Sequence, residues 1–191
     1  MKSLLNNQTL IIKMEVIIIY GPPASGKMTI TKELCKITTA KYFPHNLVFD
    51  IINPIFGVNT KDDDLWDLYE DLKIDIIKTA KKKNLSLILT EIYNNPLSNE
   101  RFEEFIDELK KAKVEYKFVK VGCSKEELLK RVEKADRKNT KKLNSAKEYQ
   151  RIMQESQLNE KIPFVKSLVI ENTNISAKKV AQMIKKELKL K

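Results

Sequence analysis

The 191-residue chain predicts an α/β domain built on a parallel sheet. Short β-type runs alternate with helical patterns along the chain, and no internal repeat or low-complexity segment interrupts them. The run Val16 to Tyr20 carries apolar or aromatic residues at every position, as a strand covered on both faces requires. A loop with glycine at both ends follows that strand at once and leads into a helical pattern, the kind of strand-to-helix turn at which parallel sheets receive ligands.

Residues 1–13 read as an N-terminal extension and 14–191 as one domain, because a complete first strand is available from Met14 onward. The apolar run Leu10 to Tyr20 is broken by Lys13 and Glu15, so it is expected to be neither a signal peptide nor a membrane span. Thr29 to Lys41 reads as a helix with Ile30, Leu34 and Ile37 on one face. Asp62 to Lys83 is a second helix, opened by three aspartates that suit its positive end and closed by Lys81, Lys82 and Lys83. Its expected inward stripe is Leu65, Leu68, Tyr69, Leu72, Ile76 and Ala80, with Lys73 on the far side.

Leu85 to Thr90 is a strand ended by Glu91 and the turn-prone Asn94, Asn95 and Pro96. Phe102, Phe105, Ile106 and Leu109 place another helix, and Tyr116 to Val121 another strand. Ser124 and Glu127 form a capping box for a helix running through Val132. The polar stretch 136–145 breaks the pattern and has the composition of a lid. A helix from Ala146, a strand Ser167 to Ile170 and a helix from Ser176 complete the chain.

At this length one core forms without staples. Cys35 and Cys123, with no CxxC pair and no histidine cluster, read as reduced structural thiols in a cytoplasm. The net charge of +10 permits a nucleic-acid or other anionic partner. Arginine is confined to Arg101, Arg131, Arg137 and Arg151, however, while lysine is scattered over nearly every segment, which favours a solvated surface over a nucleic-acid stripe. Oligomeric state is not legible here.

The residues that carry chemistry begin at the glycine loop: Gly21, Pro22, Pro23, Ala24, Ser25, Gly26, Lys27, Met28 and Thr29. Glycine at both ends lets the backbone turn and approach phosphates closely, the helix start favours an anion, and Lys27 adds a point charge. The loop therefore predicts a nucleoside triphosphate, ATP, with magnesium. Met28 stands where a hydroxyl often holds the metal, and Thr29 follows one place later. That ending is similar to adenylate kinases and unlike the guanine-nucleotide switch proteins, whose Asn-Lys-x-Asp motif is also missing.

Together with Asp50, Trp66, the segment Arg131 to Arg137, Ile162-Pro-Phe164 and Glu171-Asn-Thr-Asn174, the loop resembles a family of small bacterial and archaeal P-loop kinases, labelled shikimate-kinase-like or AAA-type ATPases. The resemblance runs from Met14 nearly to the end. It implies a three-layer P-loop NTPase sandwich with a five-stranded parallel sheet of order 2-3-1-4-5 and a short lid.

It also implies ATP-dependent phosphoryl transfer to a small-molecule hydroxyl or a nucleotide. A nucleic-acid-end kinase and a non-catalytic ATP-binding regulatory protein are the alternatives. Carried onto this sequence, Arg131 and Arg137 neutralise the transferring phosphoryl group, or else belong to a solvated helix face. Thr29 and Glu91 serve the metal; for Glu91 a plain surface charge at a strand exit is the other reading. Asp50 is the acceptor-binding residue or base, or else a loop cap. Asn172 and Thr173 fall where the adenine ring is received, or simply lead into the helix capped by Ser176. Lys73 falls where relatives carry an arginine for an anionic acceptor, and Trp66 either stacks on substrate or joins the core. His45, beside Asn46, matches the family pattern only in part.

Overall fold

A computed structural model describes residues 14–57, 63–133 and 145–191. The extension 1–13, Arg137 and all of the expected lid except Ser145 lie outside the described residues. The elements are β1 (Glu15–Tyr20), α1 (Lys27–Ile37), β2 (Lys41–Tyr42), α2 (Leu47–Phe56), α3 (Asp63–Lys82), β3 (Leu87–Glu91), α4 (Asn99–Lys111), β4 (Glu115–Gly122), α5 (Lys125–Val132), α6 (Ala146–Glu155), β5 (Ser167–Glu171) and α7 (Ala177–Glu187).

The five strands form one parallel sheet in the order β2-β3-β1-β4-β5, as expected. β1 lies at the centre, and its uniform apolarity follows from having a layer on each face. Val16, Ile18 and Tyr20 point into a core closed by α3 and α4 through Ile74, Ile77, Phe105 and Leu109. The alternate residues Ile17 and Ile19 point the other way, against Ile30 and Leu34 of α1 and Val180 and Ile184 of α7. Period-two alternation along one strand thus builds the three layers.

The turn chemistry holds where it was expected. The Ser124 hydroxyl accepts from the Glu127 amide at 3.2 Å, and Ser176 caps α7 by accepting from Lys179. Two expectations are corrected. The first helix ends at Ile37 rather than Lys41, which lets Lys41 and Tyr42 pair with Leu87 and Ile88 as an edge strand. The segment after it, with no helix expected, forms α2 despite Pro54, which sits in its last turn.

The inward face of α3 is also reassigned. Tyr69, Lys73, Ile74, Ile77 and Ala80 are buried, whereas Leu68, Leu72 and Ile76 are each about 40% exposed. The helix has apolar residues on two flanks. The flank carrying a lysine goes inside because two carboxylates meet that lysine there.

Candidate active site

The loop Gly21–Gly26 leaves β1 and enters α1, and two of its glycines are required by geometry. Gly21 has φ +149°, and a Cβ there would meet the Val121 carbonyl oxygen at 2.0 Å. Gly26 sits at φ +91° as the residue before α1, in the left-handed region that glycine enters at little cost. Ala24 also has positive φ, at 64°. Lys27 Nζ donates to the carbonyls of Gly21 and Pro22 at 2.8 and 2.7 Å, lying back over the loop it is expected to serve.

Arg131 braces the same loop. Its Nε donates to Glu127 at 2.7 Å, and its terminal nitrogens reach the Ser25 carbonyl at 3.3 Å and the side-chain and main-chain oxygens of Asn172 at 3.1 and 3.2 Å. Asn172, 2% exposed, in turn donates from Nδ2 to the Ser25 carbonyl at 2.8 Å. Arg131 and Asn172, separated by 41 residues, thereby hold one peptide of the loop between them. Thr173 instead ties the neighbouring loops together: its hydroxyl accepts from the Ser124 amide at 2.7 Å and contacts the Glu171 carboxylate.

A cleft of about 1010 Å³ runs from this loop past the ends of β1 and β3 to α2, α3 and α4. It lies at the top of the pocket range of roughly 300–1,000 Å³, wide enough for a nucleotide beside a second small molecule. Met28, Thr29, Arg131 and Asn172 line one end. Thr29 is exposed there, at the start of α1. Among the described residues no three His, Cys, Asp or Glu side chains gather as a metal cage. The hydroxyl of Thr29 and the carboxylate of Glu91 are hard oxygen donors on that cleft, a set that fits magnesium, which keeps waters and shares phosphate oxygens.

Glu91, paired with Tyr20 where β1 runs into the loop, joins that end to a charged and aromatic network. Lys73 Nζ, 3% exposed, contacts Glu70 and lies 3.2 Å from Glu91. It also lies 4.2 Å from the centre of the Phe105 ring. His45 is 1% exposed, and its Nε2 donates to the Thr90 carbonyl at 2.9 Å, since a carbonyl can only accept. Its Nδ1 is then free to accept from the Tyr69 hydroxyl, with which it shares a short hydrogen bond. Burial and the neighbouring Glu91 and Glu70 carboxylates push the Tyr69 hydroxyl well above its ordinary range, so it remains a donor. Phe49, Trp66 and Tyr69 pack ring on ring, and the Arg101 guanidinium lies over Trp66 at 4.3 Å.

The two carboxylates diverge. Burial opposes ionisation of Glu91, but the charge and hydrogen bond of Lys73, with the charge of Arg101, outweigh it and hold its carboxyl below the ordinary value. Burial dominates at Glu70, with Glu91 adding repulsion, and raises its carboxyl above the ordinary value despite Lys73.

Of the expected site residues, the structure brings the loop, Thr29, Glu91, Arg131 and Asn172 to one cleft. Asp50 is exposed on the first turn of α2, and the lining at that helix comes from Asn46 and Phe49 instead. Lys73 is a buried counter-ion for two carboxylates rather than an outward cation. Tyr69, Glu70 and Arg101 were missed. Trp66, Tyr69, Glu70 and Lys73 stand at i, i+3, i+4 and i+7, one helical face, and that spacing was the available signal.

No protein-family profile matches the chain, and no curated protein does. Solved structures do match over nearly the whole chain. A sugar kinase from Janibacter sp. aligns at 15% identity over 93% of this chain and 95% of its own, with TM-score 0.63. The APS kinase of Mycobacterium tuberculosis, in complex with AMPPNP and APS, aligns at 12% identity over 93% and 98%, with TM-score 0.61. Shikimate kinase from Acinetobacter baumannii, in complex with shikimate, aligns at 14% identity over 93% and 94%, with TM-score 0.54. The chain has the fold of these small P-loop kinases. No described helix is long and apolar enough to cross a membrane.

Proposed function

We propose that this chain is an ATP- and magnesium-dependent kinase that transfers the γ-phosphoryl group to a hydroxyl of a small molecule or to a nucleotide. The observation that carries the proposal is a single cleft with a phosphate-binding loop at one end and, at the other, two carboxylates in contrasting environments around Lys73. The sugar, APS and shikimate kinases named above share the sheet and its connections, which supports the same class of reaction here.

Lys27 and the loop amides hold the triphosphate. Thr29 and Glu91 would hold magnesium and its waters, and the ion would neutralise charge on the phosphates. Glu91 suits that task because its carboxyl stays ionised. Glu70 suits the opposite one: its raised carboxyl is a better proton acceptor, and it takes the base role expected of Asp50, which stands off the cleft. The acceptor oxygen bonds to the γ-phosphorus as the bond to the β,γ-bridging oxygen breaks. The hydroxyl proton passes to Glu70, and ADP leaves. Arg131 steadies the loop, and Arg137 supplies positive charge to the transferring group.

The test is a screen of hydroxylated small molecules and nucleoside monophosphates with purified protein, ATP and magnesium, reading ADP release. Acceptor-dependent release supports the kinase. ATP binding with no turnover on any acceptor would show a regulatory binder, and strongly salt-dependent binding to oligonucleotides with transfer to their ends would show a nucleic-acid kinase.

A further inference from the structure

Among the described residues four cationic side chains line the cleft, and three already have strong partners. Lys27 lies on the loop carbonyls, Lys73 sits between Glu70 and Glu91, and Arg131 is held by Glu127, Ser25 and Asn172. Arg101, on the first turn of α4, differs. Among the described residues no carboxylate lies within ion-pair distance of it and no acceptor takes its hydrogen bonds; its one direct contact of this kind is the face of Trp66. A guanidinium lying over a ring keeps its in-plane N–H groups available, and those groups match the two oxygens of a carboxylate or phosphate. Stacking on Trp66, itself packed against Phe49 and Tyr69, fixes the guanidinium without consuming a donor.

From this arrangement we infer that the acceptor is an anion: a small hydroxyl-bearing molecule whose carboxylate or phosphate is held by Arg101 over Trp66. The anionic-acceptor role expected of Lys73 thereby moves to Arg101, because Lys73 is neutralised by its own carboxylates. Glu70 and Glu91 feel the charge of Arg101 but neither is its hydrogen-bond partner, and a neutral polyol would leave those donors without an anionic acceptor.

The inference rests on the kinase reading for the word acceptor, but it is tested without ATP. Trp66 is the sole tryptophan of the chain and touches the group in question, so its fluorescence reports the subsite directly. The full chain is titrated at constant ionic strength with matched pairs: gluconate against sorbitol, glycerate against glycerol, and glucose 6-phosphate against glucose. The acidic member of at least one pair should shift Trp66 emission saturably, and its neutral partner should not; which pair responds distinguishes carboxylate from phosphate. Arg101→Gln should raise the apparent Kd about tenfold or more, the loss of a charge-assisted bidentate contact, with Arg101→Lys intermediate. ATP affinity should stay unchanged in both variants, which also shows that they fold. Equal response to acid and neutral members, an unchanged Kd in Arg101→Gln, or no response to any acid would overturn the inference. Failure of ATP binding or of ADP release, by contrast, would overturn the kinase reading and leave the Trp66 result standing.

Discussion

At the glycine-loop end the cleft is shaped by backbone, and toward α3 and α4 by side chains. The first is one continuous stretch, Gly21 to Thr29, whose positive-φ glycines and helix start do the work, braced from behind by Arg131 and Asn172. The second is drawn from α2, β3, α3 and α4, with hydrogen bonds from His45 to Thr90 and from Lys73 to Glu91 spanning 45 and 18 residues and Arg101 lying over Trp66. A backbone site tolerates change in its neighbours, since most of its donors are amides. A side-chain network depends on every member: removing one cation leaves two carboxylates facing each other in a poorly solvated space.

The largest expected effect asks whether transfer chemistry belongs to either end. Arg137→Ala should lower turnover by ~10³-fold with little change in ATP affinity, as removal of an arginine that acts on the transferring group does. Turnover and affinity measured once an acceptor is found check this. Weakened ATP binding with full turnover at saturating ATP would place Arg137 with the nucleotide end instead.

Next, Lys73→Met should destabilise the fold by ~3 kcal/mol at neutral pH, because Glu70 and Glu91 lose their shared counter-ion. The pH dependence has a definite sign. Glu91, held below its ordinary value, contributes stability that is present above that value and lost as pH falls through its folded value. Glu70, held above its ordinary value, contributes in the opposite sense, its share being present at lower pH and lost as pH rises through its folded value. In the variant both carboxyls lack the cation, so the deficit should narrow as pH falls to about 4, where carboxyls protonate. Urea unfolding of parent and variant at the two pH values measures it; a deficit independent of pH would mean that Lys73 acts through packing.

Smaller again is Asn172→Ala, which frees the Ser25 peptide from one brace and strips Arg131 of a partner. A loss of ~2 kcal/mol in stability is expected, together with weaker ATP binding and no change in Arg101-dependent acid binding. An effect on acid binding would show that the two ends are coupled more closely than their contacts suggest.

The same contrast explains what was legible in the sequence. The loop, its strand and its helix are contiguous, so spacing alone located them, and the strand order followed from the resemblance they supported. Glu91 was found because it ends a strand. Arg101 was counted among four arginines but not placed, since nothing local tells that it will lie over Trp66, 35 residues earlier. The inward face of α3 was misassigned because burial of Lys73 depends on Glu91, a residue from another element. Asp50, expected as an acceptor-binding residue or base or else as a loop cap, stands on a helix that was not anticipated and outside the cleft wall.

The most direct test of the account is the nucleotide affinity of the parent and of Lys27→Ala, measured alongside thermal unfolding of both. Lys27 donates to the Gly21 and Pro22 carbonyls of its own loop and belongs to neither core beside the sheet, so its removal should lower ATP affinity by about tenfold or more while the unfolding temperature changes little. Unchanged ATP affinity in a folded Lys27→Ala protein would contradict the assignment of this loop as the triphosphate site.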